Sequence, residues 1–495
     1  QKENLDLERK LLIVPTSNAI LKLKEFLAVK SAEKDKAVMG ARVVTPSFLF
    51  IPRNPQRPLA DETTILATWL NVLKKCKTDV LRPVFPYGLK SDKTESLLKF
   101  TEIISKVRAD LSDNLMSITD VLANHSDSLS ELERWQAMAA LEKLYLQEMK
   151  ERGLCDPIQA KMDEARNPSI TGDFDEIILC GTPEISGLAV NAVKVMAKQL
   201  PVTVLVHAPG TLEGSFDECG CPIPDKWQDT EIEISEWKSR MHLETTPSSQ
   251  ALRVADLLNK TTGKHGPEDV AIGVPDRDII PYLQDTLDAA GIPAYDPQDI
   301  NCSELPIFQL ISHIAELMET GSYHHLAGLI RTPDFLRYLK HARGAEPADV
   351  LKELDDFRNE HLPEFLDSIE QMGGKAPDLL TRAIQAVEEI KKDFSAEKPV
   401  DFWRKTLARI YSNRQLSTKD ASDKLFKSSA EQINDILTEL ESCPNRTTRI
   451  EFNRIFLYRV SSLQIARNRE GEKIDLNGWL ELHWNNAPVM IITGA

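Results

Sequence analysis

The chain is 495 residues long, and no run of about 18 uncharged apolar residues occurs in it, so no segment reads as a membrane span. Its 7 cysteines (Cys76, Cys155, Cys180, Cys219, Cys221, Cys302 and Cys443) are dispersed and odd in number. That argues against a disulfide framework and for a reducing, cytoplasmic setting. Cys219-Gly220-Cys221 is the one close pair; with no second pair and no nearby histidines, loop thiols are the better reading than zinc. Net charge is -16, which excludes a nucleic-acid coat protein with a global positive field and leaves room for a local basic groove. The first residues lack both an initiator Met and the apolar stretch of a signal peptide, and VMIITGA stops inside a strand-like run. A piece of a longer protein is the expectation.

Catalytic signatures are equally scarce. A phosphate loop needs Gly-x-x-x-x-Gly-Lys-Ser/Thr, because converging backbone N–H groups cradle the phosphates while the lysine neutralises them. None is present: Gly263-Lys264 and Gly374-Lys375 lack both the upstream Gly and the following Ser/Thr. The best-placed buried strand for the partner acids that hold Mg²⁺ is EIILCGTPE, which has Gly181 and Thr182 where acids should stand, with Glu184 only after a proline. Pro224-Asp225 followed by Glu236-Trp237-Lys238 formally matches a metal-nuclease pattern. It lies in an apparent linker, however, and four Pro-Asp pairs occur (at Pro224, Pro275, Pro333 and Pro377), so chance is the better explanation. His324 and His325 are adjacent on a helical pattern and point about 100° apart, which suits exposed or capping histidines. Gly-x-Ser-x-Gly is absent. No catalytic or metal-binding residue is assigned.

What remains is patterning. Apolar runs bounded by turn residues predict strands at 11–14, 42–45, 176–180, 202–207, 241–244, 270–274 and 489–493. Several lead directly into helical periodicity, as in EIILCG-LAVNAVKVMAKQL-PVTVLVH, and read as parallel βα units. Residues 61–165 and 303–465 carry helical runs without strand signals. The expected class is α/β: two parallel-sheet domains, 1–60 with 166–230 and 236–302 with 466–495, each carrying a large all-helical insertion.

Read in order, these pieces resemble the B subunits of bacterial ATP-dependent helicase/nuclease complexes (AddB/RexB type), an inactivated branch of superfamily I helicases. LLIVPTSNAILKLKEF is similar to helicase motif Ia, RVVTPSFLF to the strand after it, and FDEIILCGTPEISGLAVNAVKVMAKQLPVTVLVH to the motif II and III region. SSQALRVADLL with DVAIGVPDRDIIPYLQDTLDAAGIPAYD resembles the second domain through motif IV, and IDLNGWLELHWNNAPVMIITGA looks like motif V. The resemblance implies two degenerate RecA-like (P-loop NTPase-like) domains in a DNA-repair and recombination exonuclease complex.

On the matching positions, Thr16, Ser17, Asn18, Thr45 and Ser47 become candidates for contact with DNA phosphate or sugar, although Thr16 to Asn18 would serve equally as a helix cap. Gly181, Thr182 and Arg277 mark a degenerate nucleotide site, with Arg277 more simply a structural ion pair. Gly478, Glu481 and Gly494 would supply backbone geometry and inter-domain contact. Lys22, Lys24, Arg42, Lys106 and Arg108 could line a basic DNA path. The implied partners are duplex ends, single-stranded DNA and an ATP-hydrolysing A-type subunit, with no membrane. No cofactor is expected here: ATP/Mg and an iron-sulfur cluster would come only from missing segments or the partner, and the PD-(D/E)XK nuclease domain would lie outside this chain. Two alternatives stay open: an active helicase subunit whose phosphate loop lies upstream of Gln1, and an interaction scaffold unrelated to DNA.

Overall fold

The apolar run at residues 11–14 is flanked by a charged N-terminal stretch and by Pro15, which cannot donate to a ladder; it therefore makes one short buried strand and stops. The computed structural model describes residues 7–33, 40, 42–87, 94–228, 230–231, 236–261, 264–371, 376–417, 419–443 and 448–494. In it that strand is β1 (Lys10–Ile13), paired in parallel with β2 (Arg42–Val44) and β3 (Glu176–Cys180), while β3 pairs in parallel with β4 (Val202–Leu205). The sheet order is β2-β1-β3-β4. Both faces are covered, as continuous apolar strands in a parallel sheet demand. Leu11, Ile13, Ile177 and Leu179 pack on Ala189, Ala192, Val193 and Met196 of the helix Gly187–Met196. On the opposite face Leu12, Val14, Val43 and Cys180 cluster with Ala19, Ile20 and Leu23 of the helix Ser17–Ala32.

A second parallel sheet is built from β5 (Val270–Gly273), β6 (Ala294–Tyr295), β9 (Ile474–Asn477) and β10 (Val489–Ile492), in the order β10-β5-β9-β6; a small antiparallel pair, β7 (Ile300–Asn301) with β8 (Gln464–Ile465), precedes β9 in the chain. Val270, Ile272, Ile474 and Leu476 form one face and pack on the helices Pro247–Thr261 and Ile280–Ala289. Two strand expectations need correction. Residues 241–244 are not a strand: they are irregular and exposed, Leu243 being 96% accessible, so the apolar alternation there has no sheet to face. IDLN, which carries Asp and Asn at alternate positions and gave no strand signal, is β9 in the middle of the second sheet, bonded to β5 on one side and β6 on the other.

The two helical stretches form a single body. Trp69, Tyr145 and Ile104 from the first and Leu310, Ile436 and Phe456 from the second belong to one buried cluster. The Trp69 and Tyr145 rings stack at 4.2 Å. Polar ties cross between the stretches: Thr63 donates to Glu439 at 2.5 Å, Lys74 meets Glu451 at 2.6 Å, and the 8%-exposed Arg459 reaches Glu62. The chain passes between sheets and helices through paired backbone. Leu59 bridges Cys155 in parallel, with Ala60 N–H to the Cys155 carbonyl at 3.0 Å, and β7 pairs with β8 at the other crossing.

Candidate functional site

In an open parallel sheet, ligands settle outside the carboxyl ends of the strands, at the point where successive connections leave in opposite directions. The order β2-β1-β3-β4 places that point between β1 and β3, because β1 connects leftward to β2 and β3 rightward to β4. The candidate residues of the first sheet fall on this edge. Thr16, Ser17 and Asn18 follow β1, Thr45 and Ser47 follow β2, and Gly181 and Thr182 follow β3.

Thr16 is the N-cap of the helix Ser17–Ala32, its hydroxyl accepting from the Ala19 N–H at 3.2 Å. Ser17 is exposed. Asn18 donates to the Asn477 side chain at 3.3 Å, across to the second sheet. Thr45 and Ser47 share a hydroxyl hydrogen bond of 2.9 Å at the next strand end, with Ser47 exposed. The capping role is therefore real for Thr16, while the exposed residues at this edge are Ser17 and Ser47, the latter sharing its hydroxyl with Thr45.

Where β3 ends, Gly181 has φ +54°, a left-handed conformation that favours glycine. A Cβ built there would lie 3.5 Å from the Trp484 ring, and the Gly181 carbonyl meets His483 Nε2 at 3.2 Å. Trp484 packs into the cluster of Leu12, Val14, Ala19, Val43 and Cys180. Thr182 is 3% exposed and its hydroxyl has no hydrogen-bond partner; the buried indole N–H of Trp484 also has none. Burial pushes the Cys180 thiol up to about 11. The second sheet unit thus inserts an indole at the switch point of the first. Sequence reading missed Asn477, His483 and Trp484. Only the aromatic-polar composition of LELHWNN, a short helix run between two strands, hinted at a contact.

Arg277 stands after β5 and is bound to Asp296, not to the flanking Asp276 or Asp278, at 2.6 Å, with the Asp296 side chain 6% exposed. Gly478 caps the short helix Trp479–Leu482, where a Cβ would lie 2.7 Å from a carboxylate oxygen of Glu481; Gly494 has φ +64° beside Asp276.

Beside this contact lies a crevice of about 610 Å³ between the helix Ser17–Ala32 and the second sheet unit. Lys22, Arg469 and Lys473 line it together with Glu25, Glu268, Glu472 and Asp475, and Arg469 is already paired with Asp475 at 2.9 Å. This crevice is not the basic groove expected for a DNA path. Arg108 is also withdrawn from that role. It is 4% exposed and bonded to Glu142 at 2.7 Å and Asp156 at 3.1 Å and 3.2 Å inside the helical body. Arg42 is exposed and lies over the Phe48 ring at 4.9 Å; Lys24 and Lys106 are exposed.

The remaining motifs settle as follows. Pro224 opens the helical turn Pro224–Trp227, which holds Asp225, and Glu236, at φ +56°, precedes the turn Trp237–Arg240 and pairs with Arg240; residues 232–235, the strand that this pattern would need, lie outside the described residues. So do Gly263 and the Gly374-Lys375 pair. His324 is exposed, and His325 lies 5.9 Å from His313, ring centre to ring centre. Asp217 accepts from the N–H groups of both Cys219 and Cys221; neither is in a disulfide, and the Cys221 thiol donates to the Thr182 carbonyl at 3.6 Å. Among the described residues no group of three His, Cys, Asp or Glu side chains is placed to share a metal ion, and no helix is long and apolar enough to cross a membrane. No protein-family model matches the chain, and no curated protein matches it.

Proposed function

We propose that this chain is a helicase-like scaffold, built on two degenerate RecA-like units with helical insertions, that binds DNA ends and single strands without hydrolysing ATP. It works beside an ATP-hydrolysing A-type subunit in double-strand-break processing, with nuclease chemistry supplied from elsewhere. One observation carries the reading. At the switch point of the first sheet, Gly181 and Thr182 stand where a hydrolytic enzyme needs acids, and Trp484 packs beside Gly181, while the neighbouring strand ends present exposed Ser17 and Ser47. Hydroxyls and the N–H groups of a helix first turn suit phosphate contact, and the first turn of the helix Ser17–Ala32 holds no acidic residue to repel it.

Photo-crosslinking of single-stranded DNA carrying 5-iodouracil, followed by peptide mass spectrometry, tests this. Adducts on the peptides containing Ser17 and Ser47 are the expected result. Adducts confined to the helical body, or none at low salt, would refute the assignment.

A further inference from the structure

The edge of the first sheet at its switch point is covered from within the chain. Trp484 comes from the far side of the molecule in sequence, 302 residues beyond Thr182, and enters the cluster formed by Leu12, Val14, Ala19, Val43 and Cys180. Three further features converge on it. The Gly181 backbone lies beside the indole, His483 binds the Gly181 carbonyl, and Asn477 holds Asn18. The polar group this arrangement buries is poorly served: the Trp484 N–H has no partner. An unsatisfied buried polar group costs free energy, so the closed arrangement holds back part of what its apolar packing gains. By contrast, each sheet unit is tied to the helical body through hydrogen-bonded backbone, with Ala60 N–H to the Cys155 carbonyl at 3.0 Å and Cys155 N–H to the Pro58 carbonyl at 2.8 Å at one crossing, and β7 paired with β8 at the other. The sheet-to-sheet contact is the weaker joint.

We propose that His483 and Trp484 form a latch: in the closed state the second sheet unit covers the switch-point edge of the first with its own indole, and withdrawal of the pair uncovers Cys180. The latch stands on packing geometry alone and does not depend on the DNA-binding reading. A removable contact of this kind belongs to the low end of the local-opening free energies in a protein.

Cys180 is a built-in reporter, since it shares a cluster with Trp484, and Cys302, fully buried in the helical body, is an internal control. N-ethylmaleimide labelling of the full chain under native conditions, resolved by peptide mass spectrometry, reads both. Trp484→Ala is expected to speed labelling of Cys180 on the order of tenfold while Cys302 stays at its wild-type rate, and Trp484→Phe restores most of the protection. His483→Ala, which removes the bond to the Gly181 carbonyl and the ring contact with Trp484 while leaving the indole, gives the same change in smaller degree and serves if Trp484→Ala does not fold. Unchanged Cys180 labelling in the variants, or equal acceleration of Cys180 and Cys302, would overturn the latch; the second result would make Trp484 an ordinary core residue. A failed DNA-binding assay would leave these rates unaffected.

Discussion

Arg108 shows how an ionisable side chain on an amphipathic helix can be misread as a surface contact. Its guanidinium serves two buried carboxylates, with Tyr145 donating to Asp156 at 2.7 Å and the Gln159 N–H completing the set at 3.0 Å. Burial alone would lower the Arg108 pKa and raise that of Asp156; the charges and hydrogen bonds of the cluster win in both cases, so Arg108 is raised and Asp156 lowered. Replacing Arg108 by Met strands two buried carboxylates and should cost about 3–5 kcal/mol in denaturant unfolding at pH 7. The acid dependence follows from the sign of the shift. A carboxylate whose folded pKa is depressed contributes stability above its unfolded value, ordinarily 3.8 for Asp, and that contribution is lost as pH falls through the depressed folded value. In the Arg108→Met variant the unpaired, buried Asp156 instead takes up a proton readily, so its stability deficit against wild type should shrink between pH 7 and pH 4. A deficit that grows on acidification would show that the cluster is not held by this charge pairing.

At the scale of elements, close backbone packing joins the first sheet unit to the helical body. The helix Gly187–Met196 begins against the end of the helix Thr94–Ser112, where a Cβ on Gly187 would lie 2.3 Å from the backbone carbonyl oxygen of Asp113. Because that oxygen belongs to the backbone, Gly187→Ala must push the units apart, and a loss of about 1–3 kcal/mol is expected in a thermal or urea melt. Removing the Thr16 hydroxyl costs about 1 kcal/mol through the lost cap, so Ser17 is the cleaner position for probing DNA contact. Most elements were legible because their periodicity is strong: the strands at 11–14, 176–180 and 270–274 and the helices around Trp69, Tyr145 and Leu310 are near where the pattern puts them. The failures have physical reasons. The 241–244 stretch alternates correctly but pairs with nothing, and β9 is polar at every second position because one edge of Asn477 meets Asn18 instead of a hydrophobic layer.

At the scale of the whole molecule, the joining into one core of two helical stretches separated by residues 166–302 was invisible to local pattern, which reports which face of a helix is apolar but not which partner covers it. The consequence is cooperative. Ile104→Ala in the first stretch and Phe456→Ala in the second should lower one common calorimetric transition, each by about 2–5 kcal/mol; two separately shifting transitions would mean two bodies. The same non-local logic hid Trp484: the strand ends of the candidate site could be read from sequence, but not the residue that closes it. DNA binding would have to act against a net charge of -16, beside a crevice lined by Lys22, Arg469 and Lys473 together with Glu25, Glu268, Glu472 and Asp475. Fluorescence anisotropy with labelled single-stranded DNA, titrated from low to moderate salt, addresses it directly. The account predicts binding at low salt that weakens linearly in log affinity against log salt and falls at least about tenfold in Ser17→Glu with an unchanged melting temperature. Absence of binding at low salt, or binding indifferent to Ser17→Glu, would contradict it.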